Sequence, residues 1–164
     1  MVYLVKSEKG VGKVWYIKSF QEISVEELYQ LIKARIDVFV VEQTCPYEEL
    51  DNNDQDAIHY FLKIDNEIAA YVRILPKGLK YPEASIGRVL VVKKFRGNGY
   101  AKQIMQKAIA FVRDEWKENR IKIQAQEYLQ HFYASFGFEQ ISDVYLEDDI
   151  PHIDMIWEKN THKG

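Results

Sequence analysis

Apolar residues recur along this chain in two rhythms, and the change from one to the other divides it into strands and helices. Val14 to Phe20 is a run of strand length. Ser24-Val25-Glu26-Glu27 then has the S-x-x-E form of a capping box. Val25, Leu28, Ile32, Ile36 and Phe39 follow at steps of three and four, with Val40 beside them. That spacing predicts an amphipathic helix whose apolar stripe faces the core. Ile58, Tyr60, Leu62 and Ile64 alternate with His59, Phe61 and Lys63, and Asp65-Asn66-Glu67 turns this strand into a second one over 68–75. Residues 85–92 read as a β-branched strand, 93–99 as a basic loop, and from Ala101 the positions Ile104, Met105, Ala108, Ile109, Val112 and Trp116 keep helical spacing. A strand is expected over 121–126, a helix over 127–136 closed by Gly137, a strand over 138–141, a turn at 147–149, and a last strand over 152–157.

The resulting order, β-α-β-β-β-α-β-α-β-β, is that of a mixed α/β fold whose sheet contains both parallel and antiparallel pairs. Residues 14–158 form one domain in this reading, preceded by a mobile lead over 1–13 and followed by a frayed tail over 159–164. There is no internal repeat.

Composition narrows the choice of chemistry. With 164 residues the chain is long enough for a full core without metals or disulfides. Its single cysteine, Cys45, excludes an intrachain disulfide and argues against a Cys-based metal site, so no metal is expected. No apolar stretch approaches the ~18 residues of a membrane span, and MVYLVKSEKG lacks the apolar region of a signal peptide. A cytoplasmic protein with no membrane partner is therefore expected. The net charge of −3 gives no general attraction to nucleic acid. Basic residues nonetheless crowd 93–96, while acids dominate 48–56 and 147–149. That split suits an anionic ligand at one place and a cationic one at another.

The candidate chemistry centres on 85–105, SIGRVLVVKKFRGNGYAKQIM. A strand, a basic glycine-containing loop and a helix start make an anion cradle. Gly97 and Gly99 let the backbone turn tightly, and the free N–H groups and dipole of the helix start favour phosphate. A pyrophosphate-bearing cofactor held mainly by main chain is the reading.

Residues 96–101, RGNGYA, resemble the R/Q-x-x-G-x-G/A acyl-CoA signature of the GNAT N-acetyltransferase superfamily, and they stand after a strand and open a long helix, as that family requires. QEYLQHFYASFGF resembles the family's fourth helix, with Tyr133 at its tyrosine and Gly137-Phe138 at its terminal pair. FVVEQTCPYEELDNND, IGRV, AQEYLQHFY and EDDIPHIDM together are similar to the ElaA-like branch. The resemblance implies a splayed mixed sheet, flanked by helices and parted between strands 85–92 and 121–126, with acetyl-CoA in the gap as co-substrate. It implies that backbone groups of Val89, Leu90 and Val91 pair with the pantetheine arm and that the Val91 amide steadies the thioester oxygen. Arg96, Gly97, Asn98, Gly99, Tyr100 and Ala101 would hold the pyrophosphate. Gln126 and Tyr128 would contact the cofactor, and Tyr133 would face the thioester sulfur as general acid.

The implied reaction is direct attack of an amine, on a small molecule or a peptide, at the thioester; it needs a base, an oxyanion donor and an acid. Glu42 and His152 are the expected acceptor-side residues, either one able to act through water as base. Each has a plainer reading: acidic loops are more often solvated or turn-capping, a strand histidine is more often satisfied structurally, and Tyr128, Phe132 and Phe136 are most simply core. Asp51, Asp54 and His59 are weighed with them, and Arg35 is most simply a surface or capping contact. Cys45 has no neighbouring histidine in sequence to activate it. Arg35-Ile36-Asp37-Val38-Phe39 resembles an element of acyl-homoserine-lactone synthases, which leaves that activity as an alternative, and a non-catalytic acyl-CoA sensor as another. A two-fold homodimer is compatible with the chain.

Overall fold

The computed structural model describes residues 3–5 and 12–160. Its strands are β1 (Tyr3–Val5), β2 (Lys13–Ser19), β3 (Ile58–Ile64), β4 (Glu67–Leu75), β5 (Ala84–Val91), β6 (Arg120–Gln126), β7 (Glu139–Gln140), β8 (Tyr145–Glu147) and β9 (Ile150–Glu158). Its α-helices are α1 (Val25–Ile36), α2 (Tyr100–Ala110) and α3 (Gln130–Ala134). The strands join in one sheet, ordered β1-β2-β3-β4-β5-β6-β9-β7, with β8 also on β9. Every pairing is antiparallel except β5 with β6. The mixed α/β fold expected from the residue pattern is the fold found.

The capping box forms as the sequence indicates: the Glu27 amide donates to Ser24 Oγ at 3.1 Å and the Ser24 amide to Glu27 Oε2 at 3.4 Å. Both long helices end in a π-helical stretch, Asp37–Glu42 after α1 and Phe111–Glu115 after α2. β4 is buried on both faces from Ile68 to Leu75, which makes it the spine of the sheet. On one side α2 seals it with Ile104, Met105 and Ala108, all fully buried. On the other α1 packs Leu31 and Ala34, and the π-helical stretch after it Val38, over Phe61, Tyr71 and Leu90. Each large apolar side chain buried in this way contributes about 1.5–3 kcal/mol, more than a helix cap at ~1 kcal/mol. The sandwich of helices on the central strand is therefore what holds the frame.

Two features part the sheet. β5 and β6 pair only at Ala84 with Ile121 and Ser85 with Lys122, so beyond Ser85 the β5 edge has no strand beside it. Further along β5, Arg73 pairs with Gly87 but Tyr71 pairs with Leu90, so β5 carries one residue more than β4 over that interval. Such a bulge bends and twists its strand. Arg88 sits in it at φ +52°, a left-handed conformation that a non-glycine residue adopts only under constraint.

Tyr3–Val5, inside the stretch read as the lead, pairs with β2 as an edge strand. Of the expected lead and tail, residues 1, 2, 6–11 and 161–164 lie outside the described residues. The helix expected over 127–136 is a 3₁₀ turn, Glu127–Leu129, followed by the short α3. β8 went unread because its partner lies across Asp148 and Asp149, both at positive φ, a tight hairpin turn without the glycine that usually marks one. Tyr128 is 74% exposed and so is not core.

Candidate functional site

The parted strands enclose a cleft of about 690 Å³. One end is made of backbone. Gly97 and Gly99 lie at φ +84° and +78°, and Gly99 is the N-cap of α2 with no side chain capping the helix. Among the described residues no backbone acceptor takes the amides of Gly97, Asn98 or Gly99. The first-turn amides of α2 add further orphan donors there. The Val92 amide donates to Ala69 O at 2.9 Å, so Val91, one residue back, turns its backbone groups away from β4. Its carbonyl accepts from Arg96 Nε at 2.9 Å. An unpaired strand edge next to a glycine-built helix start can take an extended amide-containing arm and an anionic head together.

The other end is made of side chains. Arg35 is 1% exposed and Arg73 2%, against the expectation that Arg35 is a surface contact. Arg35 Nε donates to Glu49 Oε1 at 2.7 Å and its Nη1 to Asp54 Oδ1 at 2.8 Å. Arg73 Nη1 reaches Asp51 Oδ1 at 2.8 Å and Asp54 Oδ1 at 3.0 Å, and its Nη2 reaches Asp51 Oδ2 at 2.6 Å. Arg88 Nε donates to Glu49 Oε1 at 2.9 Å and its Nη2 to the Glu49 carbonyl at 3.1 Å. Tyr47 donates to the second Glu49 oxygen. The acid-rich loop is thus folded inward onto arginines rather than solvated, which corrects its plain reading. Burial raises the Asp51 carboxyl, but hydrogen bonds and charge from Arg73, with the Asn53 amide and Arg88, outweigh it and hold the group well below the usual range. Asp54 is lowered in the same way, burial being outweighed by Arg35 and Arg73.

His59 belongs to this network and not to the cleft wall. Its Nε2 faces the Asp54 carbonyl at 2.9 Å and so carries the proton, leaving Nδ1 to accept from the Tyr71 hydroxyl at 2.6 Å. Burial pushes its pKa down.

The residues singled out for the cofactor come together. Val89, Leu90, Val91, Arg96, Gly97, Gly99, Tyr100, Ala101, Gln126, Tyr128 and Tyr133 all line the cleft. Asn98 does not; its Nδ2 turns back to the Phe95 carbonyl at 3.0 Å and braces the loop. Arg96 Nη2 pairs with Glu42 Oε2 at 2.7 Å, so each of these two candidates is engaged by the other. Gln126 Nε2 donates to Gln43 Oε1 at 3.1 Å across the cleft. His152 lines it too, with Nδ1 donating to the Ile150 carbonyl at 2.7 Å, which leaves Nε2 as the nitrogen with a free lone pair in the neutral ring. No described residue hydrogen-bonds the Tyr133 hydroxyl, and burial pushes its pKa up to about 12, so it stays protonated as a donor. Cys45 also borders the cleft, but burial and the nearby Asp148 and Asp149 push its thiol up, the reverse of an activated nucleophile.

Arg73, Arg88, Lys80, Ser85 and Gly87 line the side-chain end of the cleft and were not singled out from the sequence. The available signal was Arg73 itself, a charge inside the apolar run IAAYVRIL. Among the described residues no group of three or more His, Cys, Asp or Glu is disposed to hold a metal, and no helix is long and apolar enough to cross a membrane.

Comparison with known proteins gives one consistent result. The sequence model of the acetyltransferase (GNAT) domain matches residues 19–159. The ElaA protein of Escherichia coli K12 is 40% identical over 143 residues, covering 86% of this chain and 94% of that one. A UPF0039 protein of Schizosaccharomyces pombe is 39% identical over 140 residues, covering 84% and 92%. The crystal structure of an acyl-CoA N-acyltransferase from Pseudomonas aeruginosa superposes with a TM-score of 0.83 at 38% identity, over 87% of this chain and 97% of that one. That of Escherichia coli ElaA superposes with a TM-score of 0.81 at 41% identity, over 88% and 99%.

Proposed function

The chain belongs to the GNAT acetyltransferase family, and on that premise we propose that it transfers an acetyl group from acetyl-CoA to a primary amine by direct attack on the thioester. The observation that carries this reading is the β5 edge, unpaired beyond Ser85 and running into the glycine-built start of α2. The donor brings an activated acyl carbon. The amides of Gly97 to Ala101 bind its pyrophosphate, and the backbone of Val89 to Val91 holds the arm as an added strand would be held. The Val91 N–H, facing away from β4, meets the negative charge that develops on the thioester oxygen.

His152 Nε2 receives the proton from the attacking amine, directly or through one water. The new N–C bond forms as the C–S bond breaks, and the Tyr133 hydroxyl donates its proton to the departing sulfur. The products are an N-acetyl amide and the CoA thiol. Glu42, joined to Arg96 through one carboxylate oxygen, is assigned to setting the loop rather than to the base.

A thiol-release assay with acetyl-CoA and a panel of amines, with products identified by mass spectrometry, tests this. Amine-dependent CoA release is the expected result. If no amine raises release above background while acetyl-CoA still raises the melting temperature, the enzyme reading fails and an acyl-CoA-binding protein remains. Formation of a lactone in the presence of S-adenosylmethionine would instead select the synthase.

A further inference from the structure

The acceptor end holds more hydrogen-bond donors than the fold uses. Arg73 lines the cleft, is 2% exposed, and among the described residues its Nε has no acceptor although the atom is buried. An unpaired buried donor costs ~1–3 kcal/mol, so a group that supplied its acceptor would bind with that advantage. Ser85 is also buried at the cleft wall, and among the described residues nothing hydrogen-bonds its hydroxyl. Arg73 pairs with Gly87 and Leu75 with Ser85, so these four positions share one face of the sheet. Above Gly87 that face is open: a Cβ built there meets nothing within 4 Å. Gly87 has no positive φ, so the backbone does not require glycine, and what its missing side chain leaves is space.

The charges at this end are also out of balance. Arg35, Arg73 and Arg88 are matched by Glu49, Asp51 and Asp54. Lys80, on the same cleft wall, is the cation left over: no described carboxylate lies within ion-pair distance, and its Nζ rests 5.3 Å from the Tyr81 ring centre. Lys80 is exposed to solvent on one side, yet partial desolvation, with Arg88 and Arg73 close by and Glu147 and Asp51 only partly offsetting them, lowers its pKa. Across the cleft Glu147 and Asp148 supply negative charge. Basic groups on one wall and acidic groups on the other complement a ligand carrying a negative group at one end and an amine at the other.

We infer that the acceptor amine also carries a carboxylate, received above Gly87 by Arg73 Nε, Ser85 Oγ and Lys80 Nζ. This rests on the acyltransfer reading for its chemistry, but the subsite exists or fails as a binding site independently of turnover. Two measurements separate them. In the first, glycine, β-alanine, 4-aminobutyrate and α-amino acids are compared as acceptors with the corresponding decarboxylated amines. The carboxylated members have a KM at least tenfold lower. Gly87→Val and Lys80→Met each raise that KM tenfold or more and remove the difference between carboxylated and decarboxylated acceptors, while the KM for acetyl-CoA is unchanged.

In the second, backbone amide shifts are followed by NMR while N-acetyl-β-alanine or N-ethylacetamide is added. The carboxylated compound moves the Ser85 and Gly87 signals and N-ethylacetamide does not, and Lys80→Met abolishes the shift. Shifts without any turnover uphold the subsite and sink the enzyme reading. Turnover that ignores the carboxylate, or equal shifts with both compounds, overturns the subsite and leaves the enzyme reading standing. The Gly87→Val chain is free of backbone strain, so loss of folding does not obscure the result.

Discussion

Within seven residues β5 passes from one kind of site to another. From Val89 onward the cleft is faced by backbone, and its specificity depends on strand edge, glycine dihedrals and a helix start. Before that, at Ser85 to Arg88, it is faced by side chains that a buried ionic cluster holds in place. The Arg88 bulge is the boundary, where an unfavourable left-handed residue is fixed by its own guanidinium on Glu49. A backbone site recognises what every donor of one class shares, because any sequence with the right dihedrals reproduces it. A side-chain site can change with each substitution. The contrast explains how one scaffold can keep its donor and vary its acceptor.

The comparison breaks first, and hardest, at the cluster. Arg35→Met removes one guanidinium and leaves Glu49 and Asp54 buried with less compensation, which costs ~3–5 kcal/mol. For a chain of this size that is a fall in melting temperature of about 6–20 °C. Thermal denaturation with and without acetyl-CoA checks it: the ligand-induced rise persists if the backbone half is independent of the side-chain half. Gly99→Val strikes the other half. A β-branched residue at φ +78° is strained by about 1–3 kcal/mol, and its side chain enters the anion cradle. Acyl-CoA affinity falls ~100-fold in calorimetry, with the melting temperature of the free protein lowered by about 2–12 °C.

How far each half was legible in the sequence follows from the range of its interactions. The cradle is local: Gly97, Gly99 and the helix after them are contiguous, and glycine at a strand-to-helix junction has few other reasons to be there. Ser24 and Glu27 are local in the same sense, and that helix begins where the capping box places it. The cluster is not. Arg73 meets partners 19 and 22 residues away, and Arg88 one 39 away, across a loop whose acids look like surface acids until the fold closes over them. Gly87 reads as an ordinary strand residue because the reason for it is the space above it. β8 and the 3₁₀ turn at Glu127–Leu129 escaped because three residues are too few to show a period.

Two further measurements sharpen the contrast. Tyr133→Phe keeps the ring packed against Phe132 and Phe138 and removes only the hydroxyl. The rate constant kcat falls by about 100-fold while acyl-CoA affinity is unchanged; an unaltered kcat removes Tyr133 as the acid. The pH dependence of stability reports on the cluster. His59 has a folded pKa below its ordinary 6.5, so its contribution is present above that pH and is lost as pH falls through 6.5 toward the folded value. Asp51 and Asp54, also depressed, contribute above their ordinary 3.8 and lose it as pH falls further. Melting temperature therefore declines in two stages on acidification, and His59→Gln flattens the upper stage alone.

The smallest effect is expected where the two halves touch. The Glu42–Arg96 pair links the π-helical stretch after α1 to the glycine loop, and both side chains are partly exposed, so the pair is worth only ~0.2–1 kcal/mol. An anionic ligand in the cradle competes with Glu42 for the same guanidinium. Glu42→Gln therefore frees Arg96 and raises acyl-CoA affinity by a factor of about two to five, an increase that fades at high salt as screening weakens the released charge. Turnover stays within a few-fold of the parent. If Glu42 were the base, the same substitution would leave affinity alone and lower kcat by ~100-fold or more. Titrating acyl-CoA at two salt concentrations beside a kcat measurement distinguishes a residue that tunes the backbone half from one that does chemistry in the side-chain half.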